Sequence, residues 1–108
     1  MTISVIGAVA GGSQAVDGDF AYPYSNRAHA KMKMGQLEEG KKDNDHSLIL
    51  DDTNSYAHRN SGIYFFEKKQ YEEALMHFER ANELDPEIPL LKKYIIEANE
   101  KLATSGKG

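Results

Sequence analysis

The sequence predicts an all-α protein built as a stack of helical hairpins, and two observations carry that prediction. Residues 21–54 and 55–88 align without a gap at a period of 34, with identities at Tyr22/Tyr56, Asn26/Asn60, Gln36/Gln70, Glu38/Glu72, Glu39/Glu73, Leu50/Leu84 and Asp51/Asp85. Average residue usage gives about two identities over such a length by chance, and a fixed period of this size is the mark of stacked supersecondary units. The second copy also carries Ala74, Leu75, Phe78 and Ala81 at three- and four-residue spacing, which places them on one face of a helix.

The elements follow in order. Residues 1–20 stand outside the repeat. Their apolar run Ile3–Ala10 lacks the basic n-region of a signal peptide despite a small-residue Ala8–Val9–Ala10 site,. Gly7, Gly11 and Gly12 do not form G-x-G-x-x-G,. An irregular or extended leader, folded over the first helix, is the expectation. The first helix is expected over about Pro23–Met34, with Pro23 in the first turn, where its missing N–H costs nothing,. Gly35 breaks it, and a second helix covers about Leu37–Leu50. Asn54 or Ser55 caps a third helix from Tyr56 to about Lys68, by accepting from the free N–H groups of its first turn,. A fourth runs from Tyr71 or Glu72 to Leu84, its opening acids Glu72 and Glu73 set against the positive end of the helix dipole,. Pro86 stops it. A fifth is expected over about Pro89–Leu102, with Leu91, Tyr94, Ile95, Ala98 and Leu102 facing the second repeat. The tail 103–108 is small, glycine-rich and expected to be disordered,.

With Ser55 as first position, Gly62 is the small residue of the first helix of a pair. Ala74, Phe78 and Ala81 form the core of the second, and Pro86 closes the unit. On these residues the chain resembles the tetratricopeptide repeat family. His58, Ser61 and Phe65 stand at the family's wide aromatic positions. Residues 21–54 resemble a second such repeat through Tyr24–Ala28 and Leu37–Gly40, with departures at Asn44 (for a large residue), Ser47 (for alanine) and Asp52 (for proline). Gly40 within a helix costs about 1 kcal/mol relative to alanine, so the first repeat is expected to be the looser. The resemblance implies a right-handed α-solenoid of two repeats, 21–54 and 55–88, with a capping helix at 89–102. The abrupt start of the pattern near residue 21 fits a piece of a longer repeat protein.

Composition narrows the function classes. The chain has 108 residues and a formal charge of −4, which argues against nucleic acid as the main partner. It has no cysteine and no apolar run near the ~20 residues of a membrane span,, so no membrane partner is expected and a cytoplasmic location is weakly favoured. Charge is segregated: +3 over 21–42, −7 over 43–87 and +2 over 88–108, a pattern that steers a partner or simply reflects solvated faces. His29, His46, His58 and His77 fall on four different helices with no zinc-binding spacing,. Asp43-Asn44-Asp45 lacks the later glycine and glutamate of a calcium loop, and reads as the solvent face of a helix. No nucleophile–base spacing suggests catalysis,. No enzyme, metal or cofactor is expected.

Function is therefore expected in binding. In the resembled family the first helix of each pair lines a concave groove. Here that implies Tyr22, Ser25, His29 and Met32, then Tyr56, Arg59, Ile63 and Phe66, with Ile63 weighted toward core. The family's co-chaperones grip a carboxylate with an asparagine, a lysine and an arginine. Asn26 stands at the asparagine position, but Tyr56 and Asn60 stand where the cations belong, so such a clamp is the less favoured reading. The expected contact set is Tyr22, Ser25, Asn26, His29, Met32, Tyr56, Arg59, Asn60 and Phe66, receiving a protein or peptide ligand. The alternative is a homodimer through an uncovered first helix, using Tyr24, Met32 and Met34.

Overall fold

The computed structural model describes residues 12–107, with side chains described for 21–104. Five helices follow one another: α1 (Gly12–Lys33), α2 (Leu37–Leu50), α3 (Ser55–Glu67), α4 (Tyr71–Leu84) and α5 (Leu91–Lys107). The described residues contain no strand. The fold is an all-α repeat solenoid in which α1–α2 and α3–α4 are antiparallel hairpins and α5 packs on α4.

The 34-residue period is written into the chain's turns. α1 ends at Gly35, whose φ is +85°; its N–H reaches Met32 O at 3.0 Å, and Gln36 N–H reaches Lys31 O at 2.8 Å. The end of α3 repeats this at Lys69, with φ +64° and bonds from Lys69 N to Phe66 O (3.0 Å) and Gln70 N to Phe65 O (2.9 Å). A left-handed residue thus closes the first helix of each hairpin and satisfies its last carbonyls. The second helices end alike, at Asp51 and Asp85 in extended conformation, their N–H groups bonded to Ser47 O and Ala81 O. Each aspartate then turns the chain by accepting from a backbone N–H two residues on, Thr53 and Glu87, both at 3.0 Å,.

Glycines set the close approaches inside each hairpin. A Cβ on Gly62 would lie 2.4 Å from the Phe78 ring, and one on Gly40 would lie 2.8 Å from Met32 Cγ and 2.9 Å from Ala28 O. Gly40 is therefore not a defect of α2: it lets α2 lie against α1. The ion pairs Arg27–Asp43 (3.0 Å) and Lys31–Asp43 (2.9 Å) close the same hairpin from outside. Phe78, Ile63, Ala74, Ala81, Ile88, Leu91 and Ala98 form the main core, with Phe66, Tyr94 and Ile95 packed against it. Phe78 stacks on Tyr94 at 5.4 Å, so α5 is held by apolar and aromatic burial.

The seam between the hairpins has different chemistry. Asn44, Ser47, Asn54, Ser25, Asn60 and Ser61 are all buried. Asn44 donates to Ala57 O (2.8 Å) and Ser61 Oγ (3.0 Å). Asn60 donates to Ser25 O (2.8 Å) and to Asn44 Oδ1 (3.2 Å). Asn54 caps α3 by accepting from Tyr56 N–H (3.0 Å), while its amide donates to the Ser25 and Ser47 hydroxyls. Ser47 in turn donates to Ala21 O at 2.7 Å. The seam is thus a connected polar network, satisfied from three helices. Asn44 is not on a solvent face, as its acidic neighbours suggest; Asp45 is exposed and Asp43 lies partly covered against Arg27 and Lys31, while Asn44 turns into the seam.

Three boundaries differ from expectation. Residues 1–11 of the expected leader lie outside the described residues, but 12–20 are helical and continue into α1. Pro23 lies inside that helix and costs it one backbone bond rather than starting it. At the other end α5 runs on through the expected disordered tail to Lys107, with Thr104 Oγ1 donating back to Glu100 O at 3.0 Å. Its start is later than Pro89 because Leu90 has φ +70°, outside the helical region.

Candidate inner binding face

α1 touches α3 and α3 touches α5, whereas α2 and α4 make no contact with each other. The first helices therefore line the inner side of the stack and the second helices fan out behind them. The inner side carries aromatic rings in rows. Tyr22 is 50% exposed and meets Tyr56 edge-on at 5.7 Å. Phe66 meets Tyr71 and Tyr94 edge-on, each at 5.3 Å. Tyr22 and half-buried Tyr56 thus meet across α1 and α3, exposed Asn26 lies one turn beyond Tyr22 on α1, and half-buried Phe66 meets α4 and α5 at the far end of α3.

The expected contact residues divide cleanly. Tyr22, Asn26, His29, Tyr56 and Phe66 reach the surface. Ser25 and Asn60 do not: they belong to the polar seam, at 1% and 0% exposure. Met32 is also interior, packed over Gly40. The reason is angular. At about 100° per residue, Ser25 lies about 60° around α1 from Tyr22, toward α3. Arg59 is the equivalent residue on α3 and turns toward the α4–α5 connection, where Nη1 donates to Pro89 O at 3.0 Å. Asn60 turns back onto the first hairpin; Asn26, its equivalent, has no hairpin packed before it among the described residues and is exposed.

Arg59 is the unusual group. It is 5% exposed, its guanidinium lies 5.3 Å from the Tyr56 ring centre, and Nη2 donates to Asn60 Oδ1 at 3.1 Å. Its Nε has no partner, and burial pulls its pKa down. His29 lies nearby and half-buried. Burial, then the Arg59 and Lys33 charges, lower its pKa to about 4, so it is neutral at pH 7. Tyr94 borders the other side of the face, its pKa raised by burial and by Glu67 and Glu97. Lys33, Tyr94, Glu67 and Glu97 were not among the expected site residues. Lys33 was legible as the residue one turn beyond His29, whereas Tyr94 reads from sequence as packing.

The other histidines are dispersed. His46 stacks on Tyr24 at 4.3 Å, His58 Nε2 lies 2.8 Å from Asp52 O, and His77 stacks on Phe65 at 5.2 Å. Of the residues expected to serve a dimer, Met32 is buried and Tyr24 is half-covered by His46, which leaves Met34 exposed. No described helix is long and apolar enough to cross a membrane.

No known family profile matches the chain. It is similar to plant proteins much longer than itself. It is 34% identical over 76 residues to the U-box domain-containing protein 70 of Oryza sativa subsp. japonica, covering 70% of this chain and 9% of that protein. It is 31% identical over 85 residues to the Hsp70-Hsp90 organizing protein of Triticum aestivum, covering 79% of this chain and 15% of that one. With Hsp70-Hsp90 organizing protein 1 of Glycine max the identity is 32% over 88 residues, again 15% of the relative. The chain therefore spans less than a sixth of these relatives.

Proposed function

We propose that this chain is a tetratricopeptide-type interaction module whose inner face, formed by α1, α3 and α5, receives a peptide or partner helix. The observation that carries the reading is the pair of aromatic contacts at the two ends of α3, Tyr22–Tyr56 with α1 and Phe66–Tyr94 with α5. Rings of this type combine large apolar area with a polar tip and few rotamers to freeze, which suits a binding surface. The relatives' names support a role in bringing proteins together, and Hsp70 and Hsp90 are the first partners to try. The carboxylate-clamp reading is weakened by Asn60, which is consumed by Ser25 O and Asn44.

The test is calorimetric titration of purified Hsp70 and Hsp90, and of peptides selected from a display library, into the full chain. Tyr56→Ala and Met76→Ala serve as the paired variants, Met76 being exposed on α4, behind the inner face. Binders are expected to weaken at least about tenfold with Tyr56→Ala, the 1.4 kcal/mol typical of a modest hot spot, and to ignore Met76→Ala. Binders that respond only to Met76→Ala place the interaction surface on the outer helices and refute the reading. Arg59→Ala is a poor probe, because Arg59 ties α3 to Pro89 and its loss disturbs the fold itself.

A further inference from the structure

One face of α5 is left uncovered by the other helices. Leu91 and Ala98 are buried in the core and Tyr94 and Ile95 pack against it, whereas Ile96 is 57% exposed. At about 100° per residue, Lys92, Lys93, Asn99, Glu100 and Ala103 fall within about 60° of Ile96, and all are exposed. Ile96 stands one 34-residue period after Gly62. On α3 that position faces α4, and a Cβ there would lie 2.4 Å from the Phe78 ring. With isoleucine in its place, α5 is closed to a helix seated on it as α4 is seated on α3. The face is therefore not half of a third hairpin. Its charges are also set against their own helix. α2 and α4 open with acids, but α5 has none in its first turn and carries Lys92 and Lys93 there, where the helix dipole disfavours a cation. Lys92, Lys93, Glu97, Glu100 and Lys101 make no ion pair among the described residues.

From this face we infer that α5 is a self-association surface, on which a second copy of the chain seats its own α5 antiparallel about a two-fold axis at Ile96. A two-fold contact needs a surface complementary to itself, and the order of residues along α5 supplies one. Lys92 and Glu100 lie four residues to either side of Ile96. Antiparallel pairing centred on Ile96 therefore sets Ile96 against Ile96 and Lys92 against Glu100, the latter twice by symmetry, with Lys93 diagonal to the same carboxylate. Parallel pairing would set Lys92 against Lys92 and Glu100 against Glu100, like charge on like. Asn99 is neutral and its amide is bonded to Ile95 O at 3.0 Å. Ala103, two turns beyond Ile96, adds apolar contact without holding the helices apart. The partner's Glu100 also answers the lysines that the first turn of α5 leaves without an acid. Tyr94 lies about 200° around α5 from Ile96, so the pairing leaves the inner face open and does not rest on it. The dimer expected from sequence used α1; this one uses the opposite end of the stack.

Sedimentation equilibrium of the full chain provides the test, with circular dichroism to check the fold of each variant. One helix face on each side buries less than the ~1,200 Å² at which stable interfaces begin, so the expected dissociation constant is about 10–100 µM. Ile96→Asp should leave a monomer at every concentration. Ile49→Asp, which charges an 80% exposed residue of α2, should leave the dimer as it was. Lys92→Glu and Glu100→Lys should each weaken self-association about fivefold or more, since each loses two symmetric ion pairs and gains two repulsions. Mixed in equal amounts, these two variants should associate with each other at wild-type strength, because each acid of one then faces a lysine of the other. A chain that stays monomeric up to ~1 mM overturns the inference. So does a dimer that survives Ile96→Asp, a dimer that Ile49→Asp also dissociates, or a mixture of the two charge variants that associates no better than either alone.

Discussion

Replacing Asn44 with leucine separates two accounts of the first hairpin. By its repeat position Asn44 looks like a poor substitute for a large apolar residue, and on that account Asn44→Leu stabilises the protein. The polar seam requires the opposite. Asn44 gives two hydrogen bonds and accepts one, at 2.8, 3.0 and 3.2 Å, and is 1% exposed. At a net value of about 1 kcal/mol each, the three bonds account for about 3 kcal/mol. Burying the leucine side chain returns up to about 2 kcal/mol. Forcing the larger side chain into a filled site removes about 1–3 kcal/mol. The expected outcome is a net loss of about 2–4 kcal/mol, read from urea unfolding followed by circular dichroism. Hydrogen exchange should show the loss concentrated in α1 and α2, since Asn44 and Asn60 join that hairpin to α3. A variant that unfolds at the wild-type midpoint or above, with an unchanged denaturant slope, refutes the account of the seam.

Two further outcomes follow from local geometry. Lys69 occupies a left-handed conformation that its equivalent, Gly35, adopts without a side-chain penalty, so Lys69→Gly should stabilise the chain by about 1 kcal/mol in the same urea assay; no gain means that the turn does not carry the strain assigned to it. His29 should titrate near 4 by NMR. Because that value lies below the ordinary 6.5, the unfolded chain binds the proton more readily, so stability rises with pH from about 4 to 6.5 and is lost as the pH falls through that window,. His77, whose pKa burial also lowers, acts in the same direction, so the discriminating measurement is His29→Gln. Its stability should vary less steeply with pH across this window than that of the wild type, and an unchanged slope counts against the His29 environment described above.

The parts of the fold that were legible in sequence are those decided within one helix. The apolar spacing of α4, the stop at Pro86 and the Asn54 cap all depend on neighbours a few residues away. Gly62 was readable because a missing side chain in a helical pattern needs a close neighbour, and Phe78 is that neighbour. The polar seam was not readable in this way. Asn44 and Ser47 register as losses of hydrophobicity until Ala57, Ser61 and Ala21, on other helices, supply their partners. The same limit governs the site. Tyr22, Ser25 and Asn26 share one broad side of α1, and only the position of α3 decides that Tyr22 and Asn26 stay outside while Ser25 is covered.

The chemistry of the two seams bears on how the inner face is held. Apolar packing, as between α4 and α5, tolerates sliding because one methyl contact can replace another. The seam between the hairpins tolerates it poorly. A shift of one helical turn would part Ser25, Ser47 and Asn54, and Asn60 from Ser25 O, leaving several buried polar groups unpaired at about 1–3 kcal/mol each. The network therefore fixes the register of α1 on α3 more sharply than its net stability suggests. That register sets the 5.7 Å approach of Tyr22 to Tyr56. Residues withdrawn from the proposed contact surface, Ser25 and Asn60 among them, thus determine its shape, and their loss should alter binding by moving Tyr22 relative to Tyr56 rather than by removing a contact.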